Sequence, residues 1–154
     1  MIKAIISDFS RVLIFPKDET YLGSMNDLYR EKIKLPEFNI FEHYQLNTEL
    51  IEFYKSQAKF PVYIFTSGAS LHLDSKVKPE LDKVFKGIYS AAGIGAEKDQ
   101  PRSYRLICKK LELNPADVLF VDDTQENILA AAKAGLQTLH YTNNADLIAF
   151  LNSN

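Results

Sequence analysis

Three short apolar runs, at 4–7, 62–65 and 118–121, each stop abruptly where a hydroxyl or carboxyl side chain follows: Asp8, Thr66 and Asp122. Strands with one wet face alternate apolar and polar residues, whereas continuous runs of this length suit strands buried on both faces of a parallel sheet. Weaker strands at 87–90 and 137–141 lie between helical patterns. Asn47-Thr48-Glu49 opens one helix, Pro101 stands in the first turn of another, Gly135 closes the one that begins near Gln125, and a last helix spans 145–151. Strands alternating with helices of about ten to fifteen residues predict right-handed βαβ crossovers and a three-layer α/β fold. With 154 residues there is room for one core, so a single domain over 1–154 is expected. Residues 15–46 break the rhythm. They are rich in aromatics and charges, have helical spacing at 21–33 and carry no convincing strand, and so read as a small insertion after the first strand.

Charge excludes some partners. Eighteen basic residues are interspersed with 20 acidic ones, and no basic stripe supports nucleic-acid binding. The cluster Lys76, Lys78, Lys83 and Lys86 is diluted by Glu80 and Asp82 and reads as a solvated helix face. A lone cysteine forms no internal disulfide, and no run approaches the ~20 apolar residues of a membrane span. Asp8 interrupts the opening before it could serve as a secretory signal, so a cytoplasmic protein without a membrane partner is expected. Cys108 belongs to the stripe Tyr104, Ile107, Cys108, Leu111 and reads as a small buried hydrophobe.

In an open parallel sheet, ligands bind outside the carboxyl ends of the strands. There the chain collects Asp8-Phe9-Ser10-Arg11, then Thr66-Ser67-Gly68, then Lys98 ahead of the Pro101 helix, and finally Asp122-Asp123-Thr124. Phosphoryl transfer requires such parts. A carboxylate attacks phosphorus, Mg²⁺ held by hard oxygen ligands offsets anionic repulsion, and a hydroxyl and an ammonium hold the equatorial oxygens. Two-component receiver domains use similar parts in another order, with paired acids after the first strand; here the paired acids come last.

Four segments, IISDFSRVLI, VYIFTSG, EKDQPRSY with RLICKKLEL, and VLFVDDTQENILAAAKAGLQTLHY, resemble the haloacid dehalogenase (HAD) superfamily over nearly the whole chain. The resemblance implies a Rossmann-like core and a Mg²⁺-dependent phosphatase. Asp8 would be the nucleophile, Thr66 the phosphate-binding hydroxyl, Lys98 the neutralising lysine, and Asp122 with Asp123 the metal-binding acids, Asp123 directly and Asp122 in support. Backbone N–H groups after Phe9 and Ser67 would complete the anion site. The family has a second aspartate two residues after the nucleophile, as general acid and base; this chain has Ser10. A serine hydroxyl does not fill that role efficiently at neutral pH, although its carbonyl still supplies a metal ligand, and general acid–base help is worth about 10²- to 10⁴-fold. A slow or specialised hydrolase, a longer-lived aspartyl-phosphate, or a catalytically silent module for phospho-ligands or metal would each account for Ser10. The retained acids favour surviving chemistry on a phosphorylated substrate. Residues 15–46 would form a small helical cap, leaving a site open to a bulky phosphorylated molecule unless a second subunit covers it.

Other features read more blandly. His43 lies in the insertion, His140 in a core strand, and His72 follows the Thr66-Ser67 loop within reach of substrate. Gly93 and Gly95 make a flexible approach to Lys98. Phe38, Phe41, Tyr44, Phe53 and Tyr54 pack in core or cap. Arg11 either binds a substrate anion or faces solvent; Asn127 and Tyr104 either orient the site or satisfy local packing; either Thr66 or Ser67 binds phosphate.

Overall fold

The computed structural model describes residues 1–57, 59–68 and 70–154. The chain runs β1 (Ala4–Ser7), β2 (Ile14–Pro16), α1 (Met25–Lys32), β3 (Tyr44–Leu46), α2 (Thr48–Ser56), β4 (Val62–Thr66), α3 (Lys78–Asp82), β5 (Ile88–Ser90), α4 (Pro101–Lys110), β6 (Val118–Asp122), α5 (Gln125–Lys133), β7 (Gln137–His140) and α6 (Asn144–Asn152). Five strands form a parallel sheet in the order β5-β4-β1-β6-β7. The continuous apolar runs are its three central strands, as expected of strands covered on both faces.

Side-chain alternation divides the core into two layers. Ile5, Ile64, Leu119 and Val121 face one side with α2, α3 and α6, where Leu50, Leu81 and Leu147 are buried. Ile6, Phe65, Val118 and Phe120 face the other, against Tyr104, Ile107 and Cys108 of α4 and Ile128, Ala130 and Ala131 of α5. Fully burying each such aromatic or aliphatic side chain contributes about 1.5–3 kcal/mol. The helix ends follow local chemistry. The Asn47 and Asn143 side chains accept from the Leu50 and Asp146 N–H groups at 3.3 and 2.9 Å. Beyond α5, Gly135 takes a φ of +98°, the left-handed turn that glycine makes without a Cβ clash.

Residues 15–46 differ from expectation in one respect. Ile14–Pro16 and Tyr44–Leu46 pair antiparallel as a two-stranded ribbon, with Phe15 opposite Gln45. Each strand has three residues, one holds a proline, and their partners lie some thirty positions apart, so neither has a local signature. Between them, α1 rises from its cap, Ser24, whose hydroxyl accepts from Asp27 N–H at 3.3 Å. The ribbon stands beside the carboxyl end of β1, which places α1 near the strand ends. Among the described residues no helix is long and apolar enough to cross a membrane.

Candidate active site

Strand register brings the acids together. Ser7 pairs with Val121, and the Asp8 N–H donates to the Val121 carbonyl at 2.8 Å, so the residues just beyond, Asp8 and Asp122, end adjacent strands side by side. Both follow the parity of Ile6 and Phe120 and turn toward the α4–α5 layer, from which Lys98 arrives. Its ammonium lies 2.6 Å from Asp8 Oδ1 and 2.6 Å from Asp122 Oδ2, between the rings of Phe65 and Phe120 at 5.8 and 5.4 Å. One oxygen of each of Asp8, Asp122 and Asp123 falls within 4.8 Å of the others.

The two paired acids are held differently. Asp122 is fully buried; Oδ1 accepts from Thr124 N–H at 2.8 Å, and Oδ2 accepts from the Asn127 amide at 3.1 Å as well as from Lys98. Asn127 therefore orients the acidic loop, resolving one open alternative. Asp123 is half-buried and lines a cleft of about 250 Å³ together with Asp8, Ser10, Arg11, Ser24, Asn26, Thr66 and Ser67. Thr66 is buried and Ser67 exposed, and both reach this cleft.

Several supports had no sequence signal. Tyr104 packs edge-on between Phe65 and Phe120, and its hydroxyl donates to the Lys98 carbonyl at 2.6 Å; the two readings of Tyr104 hold together. Ser103 Oγ donates to the Glu97 carbonyl, so the start of α4 pins the Lys98 loop. His140 is exposed on the edge strand β7, not buried in the core, because no further strand covers it. Its Nε2 lies 2.7 Å from the Asp123 carbonyl, which has no proton, so the imidazole donates. His72 is buried edge-on to Phe9 at 6.5 Å and is not among the residues lining the cleft, and Phe9 likewise turns its ring into the core. His43 stacks on Phe38 at 5.9 Å. Arg11 takes neither expected orientation outright: Nη2 donates to the Tyr21 and Gly23 carbonyls at 3.1 and 2.9 Å while the side chain still lines the cleft.

Three carboxylates around one ammonium leave an excess of negative charge. Burial raises the Asp8 pKa most; the Lys98 ammonium opposes that shift and the Asp122 charge adds to it, with the result pushed up to about 7. Asp123 is raised by burial and then by Asp122. Lys98 is pulled down by burial but raised overall by Asp8 and Asp122. Because the folded carboxyls bind protons more tightly than the unfolded ones, stability must fall as pH rises from the unfolded value of 3.8 toward about 7. In chelator, thermal unfolding is expected at a higher temperature near pH 5 than near pH 8, and excess Mg²⁺ flattens the difference by occupying the cluster. Burial lowers the His72 pKa and so adds stability as pH rises toward 6.5, and the acids' share is read against Asp8→Asn: a fall from pH 5 to pH 8 no larger in the wild type than in that variant would refute the charge assignment.

Residues 17–135 match the haloacid dehalogenase-like hydrolase family. The chain is 33% identical over 84 residues to enolase-phosphatase E1 of Caenorhabditis elegans, covering 52% of this chain and 33% of that protein. It is 27% identical over 143 residues to the enolase-phosphatase E1 of Sulfurihydrogenibium sp., covering 90% of this chain and 60% of the relative. The chain thus spans less than two thirds of the length of these curated relatives. A solved HAD family enzyme from Bacteroides thetaiotaomicron, in complex with magnesium and inorganic phosphate, shares the fold with a TM-score of 0.68 at 16% identity, covering 94% of this chain and 96% of that one. Parallel sheet, acids at the strand ends and a family match over 17–135 converge: this chain belongs to the haloacid dehalogenase-like hydrolases.

Proposed function

We propose that the chain is a Mg²⁺-dependent phosphomonoesterase acting through an aspartyl-phosphate on Asp8. The observation that carries this reading is the cluster of Asp8, Asp122 and Asp123 with Lys98 as its only close ammonium among the described residues. Hard carboxylate oxygens and uncompensated charge suit a small divalent cation. Asp8, Asp123 and the Ser10 carbonyl would hold it, with the saturated Asp122 behind them; an acid whose oxygens are already taken by Thr124, Asn127 and Lys98 is a support. When bound, Mg²⁺ supplies positive charge against the repulsion between Asp8 and the phosphate. The magnesium and phosphate of the Bacteroides structure and the phosphatase names of the curated relatives agree with this reading.

Asp8 attacks phosphorus in line, forming the aspartyl-phosphate bond as the ester P–O bond breaks. Thr66 and Lys98 hold the transferring group, with Ser67 and the Phe9 N–H beside them. Water then attacks phosphorus, releases phosphate and returns Asp8 as a carboxylate. Ser10 offers no efficient proton to the leaving group, so good leaving groups and alcohols that draw a proton from water are favoured. The segment 15–46 acts as the cap: it contributes Gly23, Ser24, Met25 and Asn26 to the cleft wall, and a volume near 250 Å³ suits a phosphoryl group with a small leaving group.

A panel of phosphoesters, assayed for phosphate release with Mg²⁺ and with chelator, tests the proposal. Release that requires Mg²⁺ supports it; no release from any ester, with Mg²⁺ and phosphate still bound by calorimetry, makes the chain a silent binding module. Ser10→Asp restores an acid two residues from the nucleophile. It is expected to raise kcat for esters of poor leaving groups by about 10²-fold and to change those of activated esters far less. Equal gains for both, or none, would show that the missing acid does not limit turnover.

A further inference from the structure

We propose that Arg11 docks a carboxylate on the substrate, so that phosphorylated carboxylic acids are preferred to neutral phosphomonoesters; the inference rests on the phosphatase reading above. Arg11 is the one cation among the described residues lining the cleft that holds Asp8, Ser10 and Thr66. Lys98 is buried, is not among the cleft-lining residues, and is engaged by Asp8 and Asp122. Nη2 is fixed by the Tyr21 and Gly23 carbonyls, which orient the guanidinium plane. Nε and Nη1 carry three further N–H groups, and among the described residues they donate to none. They are left for solvent or for a ligand in the cleft that Arg11 lines.

Arg11 has a φ of +61°, the left-handed region that disfavours side chains with a Cβ. A glycine would relieve it and lose only the side chain. The planar fork matches a carboxylate, and charge-assisted bonds of this kind are the strong ones. Asp8 and Arg11 line one cleft, so a carboxylate within a few bonds of the phosphoryl group is placed to reach Arg11. Asn26, from the start of α1, adds an amide on the same wall and sits so close to Gly68 that a Cβ there would fall 2.2 Å from its nitrogen; the insertion thus touches the phosphate loop.

Phosphoglycolate and ethyl phosphate, similar in size and differing by the carboxylate, make the comparison. The wild type is expected to show a kcat/KM at least about tenfold higher for phosphoglycolate. In Arg11→Gly the loss for phosphoglycolate exceeds the loss for ethyl phosphate by about the same factor and falls mainly on KM; Arg11→Asn, also tolerated at positive φ, repeats it. Calorimetry with phosphonoacetate against ethylphosphonate in Mg²⁺ buffer reads the same preference without turnover. Hydrolysis of both esters with equal losses in Arg11→Gly would make Arg11 a strut and overturn this inference alone. Failure of either phosphonate to bind, with no ester hydrolysed, would overturn the phosphatase reading with it.

Discussion

In Asp8→Asn, Mg²⁺-dependent phosphate release falls to background, a loss on the order of 10⁴-fold or more, as when other nucleophiles are removed. An amide at this position does not attack phosphorus, and neither neighbouring acid replaces it: Asp122 is engaged by Thr124, Asn127 and Lys98, and Asp123 is the acid proposed to hold the metal. The fold persists. The asparagine carbonyl still accepts from Lys98, and the strand bond from residue 8 N–H to the Val121 carbonyl is a backbone bond. Removing one of three carboxylates from around one ammonium also relieves repulsion. The variant is therefore expected to unfold no lower than wild type in chelator and to gain less from added Mg²⁺. Turnover that survives the substitution would remove Asp8 from the chemistry; a collapse of the thermal midpoint would show that it is needed to build the site.

Lys98→Met has the opposite consequence for stability. The ammonium is the shared partner of two buried carboxylates and lies between two aromatic rings. Methionine fills the space and leaves Asp8, Asp122 and Asp123 facing one another without it. Breaking a buried pair on one side costs about 3–5 kcal/mol, on the order of 10 °C in midpoint for a chain of this size. Mg²⁺ should recover much of that loss, so the variant's midpoint depends on the metal more steeply than the wild type's. Phosphate release stays low even with the metal, because nothing replaces the ammonium on the transferring group. An unchanged midpoint in chelator would mean that the cluster is already neutralised by protons.

The legible parts of this molecule are those whose cause is local. β1, β4 and β6 announce themselves because burial on both faces leaves no polar alternation, and Asp8, Thr66 and Asp122 stand out because each ends such a run. Tyr104 showed its apolar stripe but not its hydroxyl's partner, since the Lys98 carbonyl comes within reach only once the loop before α4 has folded back. The β2–β3 ribbon, the His140 donor to Asp123 and the tie from Arg11 to residues 21 and 23 all depend on segments that meet only in the folded chain. A proline in one short strand concealed the ribbon further. His140 misled because an edge strand and an inner strand look alike over four residues.

The middle of the sheet is also its earliest segment. Ile5 lies between Val62 on one side and Leu119 on the other, so β1 remains without one neighbour until residues near 119 have been made and have returned across the sheet. Closing loops of that length before any pairing is gained is slow, and an unpaired apolar strand is exposed to aggregation while it waits. Asp8 and Asp122 approach each other only in that same step. A refolding chain should therefore regain helix signal before it regains Mg²⁺ binding, with the interval between them marking the docking of β6 against β1.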